Sequence, residues 1–377
     1  MKSMAASCLA RDFTELHSVA ITERSKAYDL LNSEAAEETS DGCLLAIMLL
    51  GQTKSWRDPI DLAIDDLQRF RRILRQRQQD PRNQSNLDFF NGCLQYWEML
   101  LSYVTDRPGL DTGIGRDFRN ASNSAPPSEP HPFSGISQRL MHVLFDLGKL
   151  IFRVCITPSQ PRWATEDYAH ECIAVLNSAR CLENTLLNYV PKRSPVTDGL
   201  GGSSNRTNEL CELDRVYRYV GLMHLYRVFP DLLNARYRPW RLEDLLHPQT
   251  AIKVPTEMER REWLTELALH VLTCLQRLPF ESRTISAQPW LLVAAASELR
   301  LRQTDRGTPS DASLLRVTKG RKFITSRLFA YAHMLPLQKI GVIIRLVEVI
   351  WSEFDAGKLD TFWVDIAYRQ QLGTIMG

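Results

Sequence analysis

The sequence lacks the short motifs by which common enzyme classes are recognised. It contains no Gly-x-Ser-x-Gly, no His-Glu-x-x-His and no Gly-x-x-x-x-Gly-Lys pattern, so the usual signals of a hydrolase nucleophile, a zinc protease and a phosphate loop are missing. Its longest apolar run, residues 43–50 (CLLAIMLL), is far shorter than the ~20 residues that span a bilayer. These absences argue against a membrane protein and remove the common reasons to expect an enzyme.

The chain also lacks an excess of one charge and a cysteine framework. Lys and Arg number 46 against 44 Asp and Glu, a formal net charge of +2, whereas a dedicated nucleic-acid-binding domain usually shows a strong basic excess. No two of the eight cysteines are spaced as Cys-x-x-Cys, and the start MKSMAASCLARDF has too short an apolar run for a signal peptide. Scattered thiols indicate a reducing compartment, and DNA binding through bulk charge is not expected.

Helical periodicity is the dominant pattern that is present. Apolar residues recur along residues 64–74 with the spacing of one helix face, and Thr256 with Glu259 fits a capping box at the start of another helix. The buried face of that second helix is predicted to contain Trp263, Leu267, Val271, Cys274 and Leu278. The predicted helices span residues 12–34, 40–52, 57–80, 86–104, 134–157, 163–190, 207–237, 257–278, 288–305, 310–333, 336–355 and 360–372. The fold prediction is all-α, with about a dozen packed helices and no sheet.

Two stretches interrupt the helical pattern: residues 106–135 and 191–207, both rich in Pro, Gly, Ser or Asn. Such compositions are typical of exposed, flexible loops. The first is also compatible with a domain boundary, but only four helices precede it, which favours a long loop within a single all-α domain over residues 1–377. No repeat of fixed period is present, so a regular solenoid is not predicted.

Two acidic patterns are candidates for metal sites, and both are incomplete. Asp65 and Asp66 begin an Asp-Asp-x-x-Asp pattern for magnesium, but the third acidic position holds Arg69, whose charge would repel the ion. In EDYAHEC, Asp167 and His170 lie one turn apart, but a di-iron bundle needs two Glu-x-x-His units and two further acids. Three other histidines stand singly in apolar helices and are interpreted as core residues: His142, His224 and His270. No metal ligand is assigned.

Two arginine-rich stretches raise the question of nucleic-acid binding. In RFRRILRQR, from Arg69 to Arg77, the apolar residues form one helix face, so the arginines are predicted to occupy a solvated face. In residues 215–240 arginines alternate with aromatics, a mixture that can stack on bases. The favoured interpretation is an amphipathic helix with Arg218 and Arg227 at its edge. Its core face is predicted to contain Tyr219, Leu222, Met223, Tyr226 and Phe229 or Pro230.

The stretch QPWLLVAAASELR allows a catalytic interpretation through Ser297 and Glu298. Adjacent helix positions point about 100° apart, so this pair is poorly placed to act together. The small residues 294–296 suit close helix approach, with Trp290 as a packing anchor, and Glu298 is expected to pair with Arg302 at the surface. The stretch is therefore interpreted as a packed helix, and no catalytic or cofactor-binding residue is assigned.

Three stretches together resemble one protein family. LMHLYRVF (residues 222–229) resembles its signature helix, which ends Leu-Tyr-x-Arg, and QPWLLVAAASELR resembles its Trp-Pro-Leu helix, with Pro and Trp in reverse order. IIRLVEVIWSEFDAGKLDTFWVDI (residues 343–366) resembles its terminal pattern. The marked positions of that pattern are filled by Trp351, Asp355 and Trp363. The family is the fungal-specific transcription factor domain, which lies C-terminal to a binuclear zinc cluster.

The resemblance implies an all-α regulatory domain in a nuclear regulator of RNA polymerase II transcription. The implied partners are transcription machinery or co-regulator proteins, with a second copy of the chain as a further candidate, and no cofactor or membrane. In this family six clustered cysteines hold two zinc ions and place a helix in the major groove, but no such cluster is present here. Promoter DNA is therefore expected as a partner only if a zinc cluster is supplied elsewhere.

Two questions stay open at this point. The zinc module either lies upstream of Met1 or has been lost, and the sequence does not decide between them. A helical scaffold without a transcriptional role, and less readily an all-helical enzyme, remain alternatives to a transcriptional regulator.

Overall fold

Helices make up nearly all regular structure in the described part of the chain. The computed structural model describes residues 1–10, 12–33, 40–79, 86–106, 129–156, 165–191, 203–247, 250–282, 284–301, 311–334, 337–358 and 360–377. Within these ranges the only β-type pairing is an isolated antiparallel bridge between Pro130 and Ser137. None of the helices described is long and apolar enough to cross a membrane. The prediction of an all-α fold without a sheet is confirmed.

Fifteen α-helices are present in these ranges. They are α1 (Lys2–Leu9), α2 (Leu16–Asn32), α3 (Asp41–Gln52), α4 (Ile64–Gln79), α5 (Leu87–Leu101), α6 (Gln138–Ile156), α7 (Glu166–Leu187), α8 (Ser203–Val228), α9 (Pro230–Asn234), α10 (Leu242–Leu245), α11 (Glu257–Arg277), α12 (Gln288–Ala296), α13 (Asp311–Met334), α14 (Gln338–Asp355) and α15 (Trp363–Arg369). Short 3-10 turns at Lys54–Trp56 and Ile285–Ala287 precede α4 and α12.

Side-chain caps and one glycine set several helix ends. At the start of α11 the Thr256 side chain accepts from the backbone N–H of Glu259, and the Glu259 carboxylate accepts from the N–H of Thr256, so the predicted capping box is confirmed. At the start of α7 the Thr165 side chain accepts from the backbone N–H of Tyr168, a single side-chain cap. After α14, Gly357 adopts φ +83°, a left-handed conformation that ends the helix at low steric cost.

The helix at the centre of the fold is α8, which contacts α6, α7, α9, α11 and α12. Its segment from Val216 to Tyr226 is buried on every side. The predicted core face is confirmed by the burial of Tyr219, Leu222, Met223, Tyr226 and Phe229, but the predicted solvated edge is wrong at Arg218, which is buried as well. Gly221 permits this packing, because a Cβ there would lie 2.8 Å from Leu144 on α6 and 3.1 Å from Leu186 on α7. Neighbouring helices therefore cover the face that the sequence pattern assigned to solvent.

Helix boundaries differ from the predicted ones where local turns intervene. The predicted helix 207–237 breaks at Phe229, where α8 gives way to the Pro-initiated α9. The predicted helix 288–305 ends at Ala296, and the predicted helix 57–80 begins only at Ile64. The first helix, α1, was not predicted, and its Ser3 hydroxyl donates to the carbonyl oxygen of Ala20 on α2 at 2.9 Å.

The two stretches predicted as loops fall largely outside the described residues, which exclude 107–128 and 192–202. At the end of the first stretch, residues 129–135 pack against α5: His131 is buried, and its ring lies 5.3 Å from that of Phe89. At the end of the second stretch, α8 already begins at Ser203. Residues 129–135 are therefore non-helical but packed, and only the second stretch overlaps a helix, at residues 203–207.

The basic run on α4 is not a uniformly solvated face. Arg71 and Arg77 are buried, with exposed fractions of 4% and 2%. Arg71 donates to the buried carboxylate of Glu98 on α5, with Nε 3.0 Å from Oε1, and Arg77 pairs with Asp41 at the start of α3. The prediction of a solvated arginine face is therefore wrong for these two residues, which instead join α4 to its neighbours.

The acidic pair on α4 does not form an open metal site. Asp66 is buried, accepts a hydrogen bond from the Tyr28 hydroxyl at 3.0 Å, and lies 2.8 Å from the Lys54 ammonium, while Asp65 is exposed. Asp167 and His170 are also exposed, on the first turns of α7. No group of three potential metal ligands occurs among the residues described.

Candidate functional site

The three stretches that carried the sequence resemblance meet in one buried centre. The indole Nε1 of Trp363 on α15 donates to Nε2 of His224 on α8 at 3.0 Å. The Trp351 indole on α14 donates to the carbonyl oxygen of Ala296 at the end of α12, at 3.1 Å. The first and third stretches therefore meet through side chains 139 positions apart, and the second stretch joins them through a backbone carbonyl.

Trp290 on α12 is the aromatic anchor of this centre. It is 1% exposed, and its ring stacks on Tyr217 at 5.1 Å with an interplanar angle of 12°. Tyr103 and His224 meet it edge-on at 5.1 Å and 5.3 Å. The adjoining residues 294–296 are fully buried, so the interpretation of this stretch as a packed helix is confirmed. The aromatic contacts add to the stabilisation that burial alone supplies.

His224 is a neutral core histidine rather than a base exposed to substrate. Burial lowers the pKa of its imidazole from 6.5 to about 3, because the charged form loses its hydration. Since Nε2 accepts from Trp363, the neutral ring carries its proton on Nδ1, and Nδ1 has no hydrogen-bond partner within the described chain. The prediction of a core histidine is thus confirmed at this position.

A buried carboxylate lies beside the aromatic anchor. Glu298 follows α12 and is 2% exposed, and its Oε1 lies 3.6 Å from Nε of Arg227 on α8. Burial raises the pKa of Glu298, while the guanidinium groups of Arg227, Arg300 and Arg261 oppose that shift. The prediction that Glu298 lies at the surface is wrong, because Glu298 is buried and faces Arg227. Its predicted partner Arg302 lies outside the described residues.

Arginines extend this ion cluster to the C-terminal segment. Arg227 also donates from Nη2 to the carbonyl oxygen of Thr361 at 3.0 Å, so it links Glu298 to the segment that leads into α15. The Arg300 guanidinium lies 4.6 Å from the ring centre of Phe354 on α14. Burial lowers the pKa of Arg300 to about 10, which leaves it charged at neutral pH. The predicted solvated position of Arg227 is therefore wrong.

Another arginine contacts two of the three marked residues of the terminal stretch, Trp351 and Asp355. Arg321 on α13 forms a two-pronged ion pair with Asp355, with distances of 2.9 Å and 3.0 Å. Its Nε donates to the carbonyl oxygen of Leu299 at 2.9 Å, and its guanidinium lies 5.1 Å from the ring centre of Trp351. Arg321 thus joins α13 to α14 and to the segment that follows α12. Sequence reasoning missed it because nothing in its local pattern distinguishes it from a surface arginine.

The chemistry of this centre favours fixed positioning over group transfer. The Ser297 hydroxyl is buried, and no hydrogen-bond partner is found for it in the part of the chain that the structure describes, so no adjacent base activates it. His224 is neutral and engaged with Trp363. What the arrangement does is lock α8, α12, α13, α14 and α15 into one geometry through aromatic packing and paired charges. Tyr103, Tyr217 and Arg261 contribute without having been singled out in the sequence.

Comparison with known proteins agrees with the three stretches. A family model described as "Fungal specific transcription factor domain" matches residues 2–377. No curated protein matches the chain, and no solved structure matches it.

Proposed function

The chain belongs to the fungal specific transcription factor domain family, and on that premise we propose that it regulates transcription by RNA polymerase II in the nucleus. The observation that carries this proposal is the family match over residues 2–377. It is supported by the buried centre, where the family-like stretches contact one another through Trp363, His224 and Ala296. Membership of this family supports a role in transcription regulation.

The proposed mode of action is contact with co-regulator proteins or transcription machinery. The sequence carries no six-cysteine cluster and a net charge of only +2, and all eight cysteines are free thiols. Reading of promoter DNA would then depend on a zinc module supplied elsewhere. The centre around Trp290 and Glu298 acts as a structural lock in this proposal, and the chain is not expected to be an enzyme.

The proposal is tested by tethering the chain to a reporter promoter. The 377 residues are fused to a heterologous DNA-binding domain that does not activate by itself, and reporter output in a fungal host is compared with that of the DNA-binding domain alone. A change of output in either direction, together with nuclear location of the tagged chain, is expected. Unchanged output, an exclusively cytosolic location and purification of a stable cytosolic partner without transcription machinery would instead establish a helical scaffold.

A further inference from the structure

A half-open groove lies between the N-terminal helix pair and the junction of α13 with α14. Its volume is about 350 Å³, within the ~300–1,000 Å³ typical of small-molecule sites. Ala20 of α2, Trp56 and Leu337 form apolar lining, and Arg57 and His17 contribute polar groups. None of the residues lining the groove belongs to the buried centre described above.

The groove is electrostatically one-sided. Arg57 and His17 are the titratable residues among its described lining, and no acidic side chain lines it. In the described part of the chain the Arg57 guanidinium makes no hydrogen bond or ion pair. A guanidinium without a carboxylate partner beside apolar walls is complementary to a planar anionic group attached to an apolar body.

The size and lining of the groove favour a small molecule as its occupant. Its volume lies near the lower end of the ~300–1,000 Å³ range of ligand sites. A single charged group beside apolar walls is also the usual composition of such sites.

We propose that this groove binds a small organic acid whose carboxylate pairs with Arg57 and whose aliphatic or aromatic body packs on Trp56 and Leu337. The site lies apart from the buried centre, and the proposal stands whether or not the role in transcription holds.

Gly341 on α14 provides a position from which the groove can be filled. It lines the groove, and no atom lies within 4 Å of where its Cβ would be. Leucine has a higher helix propensity than glycine, so Gly341→Leu fills the groove without weakening α14. Gly42 on α3 offers the matched control: it is exposed, a Cβ added there would meet only the Ser40 hydroxyl at 3.9 Å, and it does not line the groove.

The test measures binding directly by calorimetry on the full chain. The probes are 3-phenylpropionate, indole-3-acetate and hexanoate, each paired with its uncharged amide. We expect saturable binding of at least one acid, weakened about tenfold for its amide and for Arg57→Gln, because one charge-assisted contact is lost. Gly341→Leu should abolish binding, and Gly42→Leu should leave it unchanged.

Several results would overturn the proposal. Failure of all three acids to saturate the unmodified chain below about 10 mM removes the site, and equal binding of acid and amide removes the role of Arg57. Binding that survives Gly341→Leu places the ligand elsewhere. Self-association of the chain that only Gly341→Leu blocks would show that this face joins two copies. Thermal melting of both leucine variants confirms that each is folded.

Discussion

Stability should fall on mild acidification because of His224. Burial in the folded state lowers the pKa of the His224 imidazole to about 3, against 6.5 for an ordinary histidine side chain. The unfolded chain therefore binds a proton that the folded chain excludes, and stability is lost as pH falls below about 6.5. Between about pH 7 and about pH 5, this single group should cost the fold about 2 kcal/mol. For a chain of 377 residues that corresponds to a melting shift of about 2–3 °C.

The assay compares the unmodified chain with His224→Gln across this pH range by scanning calorimetry. Glutamine can accept the hydrogen bond from Trp363 but cannot titrate, so the difference between the two curves isolates His224 from other ionisable groups. His17→Gln, the same substitution at an exposed histidine, is the matched control. If the stability difference between the two proteins stays constant between about pH 7 and about pH 5, His224 is not a buried histidine that is held neutral by the fold.

Two further predictions concern packing and buried charge. Gly51→Ala should destabilise the chain by about 1–3 kcal/mol, because the added methyl would lie 2.2 Å from the ring of buried Trp97; Gly341→Ala, where nothing is near, should instead stabilise it by up to about 1 kcal/mol. Equal effects of these two substitutions on the free energy of unfolding, measured by denaturant titration, would contradict the close contact between Gly51 and Trp97. Arg71→Met should cost about 3–5 kcal/mol, because it leaves the buried carboxylate of Glu98 unpaired. Arg316→Met, which breaks an ion pair with Glu266 nearer the surface, should cost less than about 1 kcal/mol, and similar losses for both arginines would show that Arg71 is not a buried partner.

The helices and their caps were predictable because their causes are local. The capping box at Thr256 uses atoms three residues apart, and the buried face of α11, including Trp263 and Leu267, follows from the 3.6-residue period. The stop at Gly357 depends only on its own backbone conformation. Each of these features requires information from one or two helical turns, which a short window of sequence contains.

The candidate centre was only partly predictable. Trp290 and the small residues after it were recognised as packing elements, but the partners of Glu298 were not. Arg227 lies 71 positions before it in the chain and meets it because α8 packs against α12. A helix-surface pair with Arg302 was the local alternative, and it failed because the helix ends at Ala296 and Glu298 turns inward.

The sequence by itself determined the all-α class, the main helices and the family, since periodicity, caps and short motifs are written in consecutive residues. Tertiary structure alone decided which charges are buried. Arg71 and Arg72 are neighbours on α4, yet the first is buried against Glu98 and the second is exposed. The difference depends on which helix lies alongside, and that is set by packing between segments far apart in the chain. The same packing leaves Arg57 beside an open groove, which no pattern in the sequence had indicated.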